Sequence, residues 1–196
     1  MMLLLLALLQ ATPAPDTAGS LMTNAGVLRA AGRVDSVFVA KLRDTATVDA
    51  GDWTAYLMAR LGVKPIPEMR LRVTIDTLRL RVHGALKDIP PEARASLQSL
   101  LAMLDPETPI TATVSLRMEN ANAIRFHLDS AWIAGFPVPE TILAQGLRVV
   151  GEQYAVLANG GRDLFVEIPP GALVRLTPEG VRLKGPPKRA PRTTPR

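Results

Sequence analysis

Two histidines, His83 and His127, are the side chains here whose ordinary pKa lies near neutrality, and the chain has no cysteine. Both fall on the polar side of alternating runs, so a sheet can bring them near each other. A metal site needs three or four ligands. The sequence offers no obvious source for the others, and the pattern points to solvated strand histidines. Nucleophile and phosphate chemistry have recognisable spacings: Gly-x-Ser-x-Gly, Ser-x-x-Lys, His-Glu-x-x-His and Gly-Lys-Ser/Thr. None occurs. Asn159-Gly160-Gly161 is too isolated to cradle a phosphate and reads as a turn. The carboxylates lie mostly at turns and helix starts, where capping accounts for them. Neither an enzyme nor a cofactor is expected, and function must be sought in the surfaces.

Those surfaces are organised around the stretch from Pro109 to Pro139. Ile110, Ala112, Val114, Leu116 and Met118 alternate with polar residues, Glu119-Asn120-Ala121-Asn122 supplies a turn, and Ile124, Phe126 and Leu128 resume the alternation. This is period two, an antiparallel pair with one apolar face. Upstream, Met69, Leu71, Val73 and Ile75 alternate with Arg70, Arg72, Thr74 and Asp76. The apolar phase then moves to Leu78, Leu80 and Val82, which requires a tight turn or bulge at Asp76-Thr77. Arg70, Arg72, Arg79 and Arg81 form a basic strip on the polar side, ordinarily a solvated surface that discourages edge pairing.

The apolar face needs a cover, which is either the chain's own helices or a ligand. Asp49 caps a predicted helix with Trp53, Tyr56, Leu57, Arg60 and Leu61 at amphipathic spacing and Gly62 as its terminator. Trp53 and Tyr56 then either seal the sheet as core or stand at the mouth of a cavity, where amphipathic rings are comfortable. Ile89-Pro90-Pro91-Glu92 opens a helix carrying Leu97, Leu100, Leu101 and Leu104, and Glu140 to Tyr154 reads as another. Leu21 to Arg43 suits a helix better than a strand. Leu164 to Ile168 is a short strand, and Val174 to Leu176 pairs with Val181 to Leu183 around Pro178-Glu179-Gly180.

The 196 residues suffice for one domain with a real core. The net charge of +5 belongs to the end of the chain. From Arg182 to Arg196 there are six basic residues and no acidic one; without them, 17 basic residues face 18 acidic ones. No nucleic-acid partner is expected, because the body carries no basic excess. Met1 to Ala11 is an apolar run too short to span a bilayer and fits the core of a secretory signal, residues 1–14, although no Lys or Arg precedes it. Residues 15–44 then form a leader and N-terminal helix or strand, 45–184 a single domain, and 185–196 a disordered basic tail.

The stretch Thr47-Val48-Asp49-Ala50-Gly51-Asp52-Trp53-Thr54-Ala55-Tyr56-Leu57 resembles the helix entry of the LmeA-like phospholipid-binding envelope family, itself similar to tubular lipid-binding (TULIP-like) proteins. Ile133-Ala134-Gly135-Phe136-Pro137-Val138-Pro139 with a following helix, then Phe165-Val166-Glu167-Ile168-Pro169-Pro170-Gly171 and two strands, extend the resemblance over about Thr45 to Lys184. The Trp at position 53 and the basic tail depart from the pattern. The resemblance implies an α+β fold, a curved antiparallel sheet wrapped around two or three amphipathic helices as a TULIP-like half-barrel. It also implies an exported, periplasmic or cell-envelope protein binding lipid or phospholipid acyl chains in an apolar groove. The inward residues given by the alternation would line it: Leu71, Val73, Ile75, Leu78, Leu80, Val82, Val114, Leu116, Met118, Ile124, Phe126 and Leu128, with Trp53 and Tyr56 at its mouth. Apart from the resemblance, the charge of the basic tail suits an anionic membrane surface or an acidic partner. The competing expectation is a structural or partner-binding module whose helices fill that face. A plant-desiccation-type β-sandwich, suggested by the strand-Asn-x-Asn-strand unit at Ser115 to Asp129, is opposed by the amphipathic helices.

Overall fold

The computed structural model describes residues 18–63, 70–89, 91–96, 101, 103–153 and 161–187. The apolar run at Met1–Ala11, Met69, Leu97, Leu100, Tyr154, Asn159-Gly160 and the tail from Lys188 lie outside the described residues. In chain order the first half contains β1 (Ser20–Leu21), α1 (Asn24–Val34) with a π-helical turn (Asp35–Val39), β2 (Thr45–Val48), α2 (Ala50–Arg60), β3 (Arg72–Asp76) and β4 (Arg79–Ala85). A 3-10 turn (Leu86–Asp88) and α3 (Pro91–Ser96) lead to β5 (Pro109–Asn120), β6 (Ala123–Ile133) and β7 (Phe136–Pro137). Then come α4 (Glu140–Gln153), β8 (Asp163–Glu167), β9 (Leu173–Thr177) and β10 (Gly180–Lys184). The fold is α+β with two open antiparallel sheets. The larger runs β1-β3-β4-β5-β6-β7, with β8 on the first half of β6, and the smaller runs β2-β10-β9.

Local chemistry explains where the helices begin. The Asp49 carboxylate accepts the N–H groups of Gly51 and Asp52, and Thr23 Oγ1 accepts the N–H of Gly26, so α2 and α1 each start on a side-chain cap. The expected helix in Leu21 to Arg43 is α1, prolonged by the π-helical turn that buries Val37 and Phe38.

Two devices keep the large sheet's apolar side continuous. Asp76 faces Arg79 across a two-residue turn, so Val73 meets Val82 and Ile75 meets Leu80 on one side. The expected phase change is therefore a turn, and Leu78 lies at its tip. Thr77 and Leu78 both have positive φ, 50° and 60°. Leu78 is exposed there and does not point inward, which corrects its assignment to the lining. On β6 the pairing slips between Thr113 and Val114, leaving Asp129 as the extra residue of a bulge. The bulge moves the apolar phase from Ile124, Phe126 and Leu128 to Ala131 and Ile133, which still share the side of Ala112 and Ile110.

The core lies where α1, α2 and the small sheet meet that apolar side. Met22, Ala30, Trp53, Leu57, Val73, Leu80, Ile124, Phe126, Val174, Val181 and Leu183 are buried in one cluster. Met22 and, through Ala30 and Val34, α1 contribute to it from upstream of Thr45. The cover is mixed: part helix, part second sheet, the latter built when Thr45–Val48 pairs with the β9–β10 hairpin.

Candidate functional site

Eleven of the twelve expected lining residues share one face of the large sheet, Leu78 being the exception. The register places Leu80 beside Val114, Val114 beside Leu128, Leu116 beside Phe126 and Met118 beside Ile124. The face is covered unevenly. Leu71, Val73, Leu80, Ile124 and Phe126 are sealed by the chain's own side chains, and Ile75, Val82, Val114, Leu116 and Met118 pack partly against that core. Leu128 stays half-exposed.

The expected mouth is not at the surface. Trp53 is 2% exposed and lies in the core, because it sits on the face of α2 that meets the sheet. Tyr56, one turn on, is half-buried with its ring centroid 5.9 Å from that of Trp53. The indole N–H of Trp53 is buried without a hydrogen-bond partner, and one such group costs about 1–3 kcal/mol.

The open part of the face lies at the other end. Beyond Val114 and Leu128 the same side continues through Ala112, Ile110, Ala131 and Ile133, all half-exposed. α3 leaves from β4 and α4 from β7, on either side of the β5–β6 hairpin, and the two helices touch each other. Phe136, paired with Ile133, is exposed, as is Ile142 on α4. Leu86, which donates its N–H to the Thr108 carbonyl just before β5, lines with Pro91, Ala95, Leu101, Leu104 and Pro106 an open apolar cleft of about 400 Å³, with Arg94 in its wall. Ile110 was visible in the sequence as part of the alternation. Ile133 was not, because the Asp129 bulge puts it out of phase.

The opposite face carries the polar chemistry. His83 is buried, contrary to its expected exposure, since residues 18–19 cross over it and its Nε2 donates to the Ala18 carbonyl at 2.9 Å. His127 Nδ1 donates to Asp163 Oδ1 at 2.8 Å. The two imidazoles do not meet: His83 faces Thr111 and His127 faces Ser115, four residues further along β5. Ser115 lies opposite His127, yet its hydroxyl donates to Asp129 Oδ1 at 3.1 Å, away from the imidazole. Among the described residues no group of three or more His, Cys, Asp or Glu is placed to hold a metal ion. The basic strip is partly answered from within. Arg81 pairs with Asp76 at 3.0 Å, Arg79 lies 3.6 Å from Asp129, and Arg72 donates to the Gly19 carbonyl.

Comparison with protein-family models, curated proteins and solved structures finds no match for this chain. The likeness to the LmeA-like family rests on the quoted motifs alone.

Proposed function

We propose that this is an exported, non-enzymatic protein that holds lipid acyl chains against the half-open end of the large sheet, where α3 and α4 meet. One observation carries the reading: a continuous apolar face is sealed at Ile124 and Phe126 but left half-exposed, outside the packed core, at Leu128, Ala131 and Ile133. Each acyl methylene withdrawn from water contributes about 0.8 kcal/mol, so an aliphatic surface of this kind needs little further specificity. Arg94, in the wall of the adjoining cleft, suits a phosphate or carboxylate headgroup. The apolar run at Met1–Ala11 supports export.

Native mass spectrometry of the purified protein tests the reading. Co-purifying lipid, lost in folded L128R and I133R variants, supports it. Lipid-free protein whose melting temperature is unmoved by added phospholipid refutes it. That outcome selects the second reading, a partner-binding envelope module, which the chain's own sealing of Val73, Leu80, Ile124 and Phe126 favours.

A further inference from the structure

Val39, the last residue of the π-helical turn, and Leu42 just beyond it face solvent, 71% and 79% exposed. Two aliphatic side chains at this exposure lose apolar contact unless something covers them. Lys41 and Arg43 are interleaved with them, also exposed, and Lys41 has positive φ, 53°. The end of β10 arrives at the same place. Gly185 N–H donates to the Asp44 carbonyl at 2.9 Å, and Lys184 pairs with Thr45. Val37, Phe38, Lys41, Arg43, Asp44 and residues 185–187 then border one open cleft with residues 169–171. Past Pro187 the sequence adds Lys188, Arg189, Arg192 and Arg196 and no acid. Asp35 and Asp44 are the carboxylates of the 35–44 segment, against Lys41 and Arg43 within it and Lys184 paired beside it.

We infer that this segment docks on an anionic membrane surface, Val39 and Leu42 entering the hydrocarbon boundary while Lys41, Arg43, Lys184 and the basic tail meet the headgroups. Charge complementarity alone would equally suit a nucleic acid or an acidic protein. The aliphatic pair decides the matter. Hydrocarbon accepts Val and Leu, whereas a nucleic acid is gripped by cations with aromatic stacking partners, and the exposed apolar residues of this loop are aliphatic. Basic residues near an anionic bilayer add attraction that decays within a Debye length, so the contact is salt-sensitive. The surface is separate from the proposed lipid site: Gly171 at the border of this cleft donates to the Ala121 carbonyl in the β5–β6 turn, whereas Ile133 pairs with Ile110 at the opposite end of that hairpin.

The absence of cysteine makes the test clean. An environment-sensitive dye is attached to an L42C variant of the full chain and, as control, to an E179C variant, whose site lies in the turn at the far end of β10. With vesicles of equimolar phosphatidylglycerol and phosphatidylcholine, the L42C label shifts to the blue and the E179C label does not. Pure phosphatidylcholine vesicles give neither shift. Raising NaCl from about 0.05 to about 0.5 M reduces binding about tenfold, and V39S/L42S and K188Q/R189Q/R192Q/R196Q each weaken co-sedimentation about tenfold without changing the melting temperature. Sedimentation with no shift at position 42, or equal affinity for duplex DNA unaffected by V39S/L42S, overturns the inference, as does failure to sediment. Native mass spectrometry reads the acyl-chain site separately, so one result stands if the other fails.

Discussion

Arg29 Nε and Nη2 grip the two carboxylate oxygens of Asp52 at 2.8 and 2.6 Å, tying the middle of α1 to the first turn of α2. The pair is lopsided: Asp52's side chain is 9% exposed and Arg29's 57%. The hydrogen bond and charge of Asp52 hold the Arg29 pKa above its ordinary value. Removing Arg29 strands a buried carboxylate, whereas removing Asp52 leaves a guanidinium already in contact with water. R29A is expected to destabilise by about 2–3 kcal/mol, below the full penalty for a wholly buried pair because water can follow Arg29, and D52A by about 1 kcal/mol. R29A/D52A should be no worse than D52A. Urea unfolding of the three variants checks this; a D52A loss equal to that of R29A would remove the asymmetry from the account.

Gly26 is the reason the two helices come close enough for that pair. A Cβ there would lie 2.4 Å from Asp52 Oδ1 and 3.2 Å from Asp52 Cα. G26A gains about 1 kcal/mol of helix propensity but must push the carboxylate off Arg29, so the net effect is a loss of about 2 kcal/mol. Because G26A and R29A break the same contact, their losses should fall short of additive in a double-mutant cycle. Full additivity would show that Gly26 acts elsewhere.

The turn at Thr77-Leu78 offers a gain. Both residues hold positive φ without being glycine, a conformation that disfavours L residues by about 1–2 kcal/mol each, and two-residue hairpins prefer Asn-Gly. T77N/L78G should stabilise by about 1–2 kcal/mol after the greater chain entropy of glycine is subtracted. A melting scan reads it, and a lowered melting temperature would mean that Leu78 makes contacts its exposure does not suggest.

What the sequence disclosed follows from what is local. Alternation placed Val114, Leu116, Ile124 and Phe126 on one face, and the Asp49 cap located α2, because both signals lie within a few residues. The phase change after Ile75 was legible as a break, and only its form was open. Position in depth was not legible. Amphipathic spacing marks Trp53 as facing inward but does not say whether it ends in the core or at a rim, which depends on the small sheet arriving from residues 173–184. His83 was read as solvated because nothing local shows residues 18–19 crossing it. The Asp129 bulge hid Ile133 for a related reason: a single extra residue inverts the pattern, and the bulge is visible only once β5 supplies the register.

The division of the apolar face into a sealed and an open end makes the sharpest prediction, since one substitution type should behave oppositely at the two ends. Ile124 is fully buried, 0% exposed, so I124R must place a guanidinium in the apolar core between Met118 and Val166, its neighbours across the sheet. The loss should exceed about 4 kcal/mol and leave little folded protein. Ile133 lies on the same face of the same strand but half in water, and an arginine there can extend its charged end to solvent at about 1 kcal/mol or less. I133R should therefore keep the wild-type circular dichroism and melting temperature while abolishing phospholipid-induced stabilisation. Equal destabilisation by the two variants would mean that the face is packed along its whole length, leaving the acyl chain no place to lie.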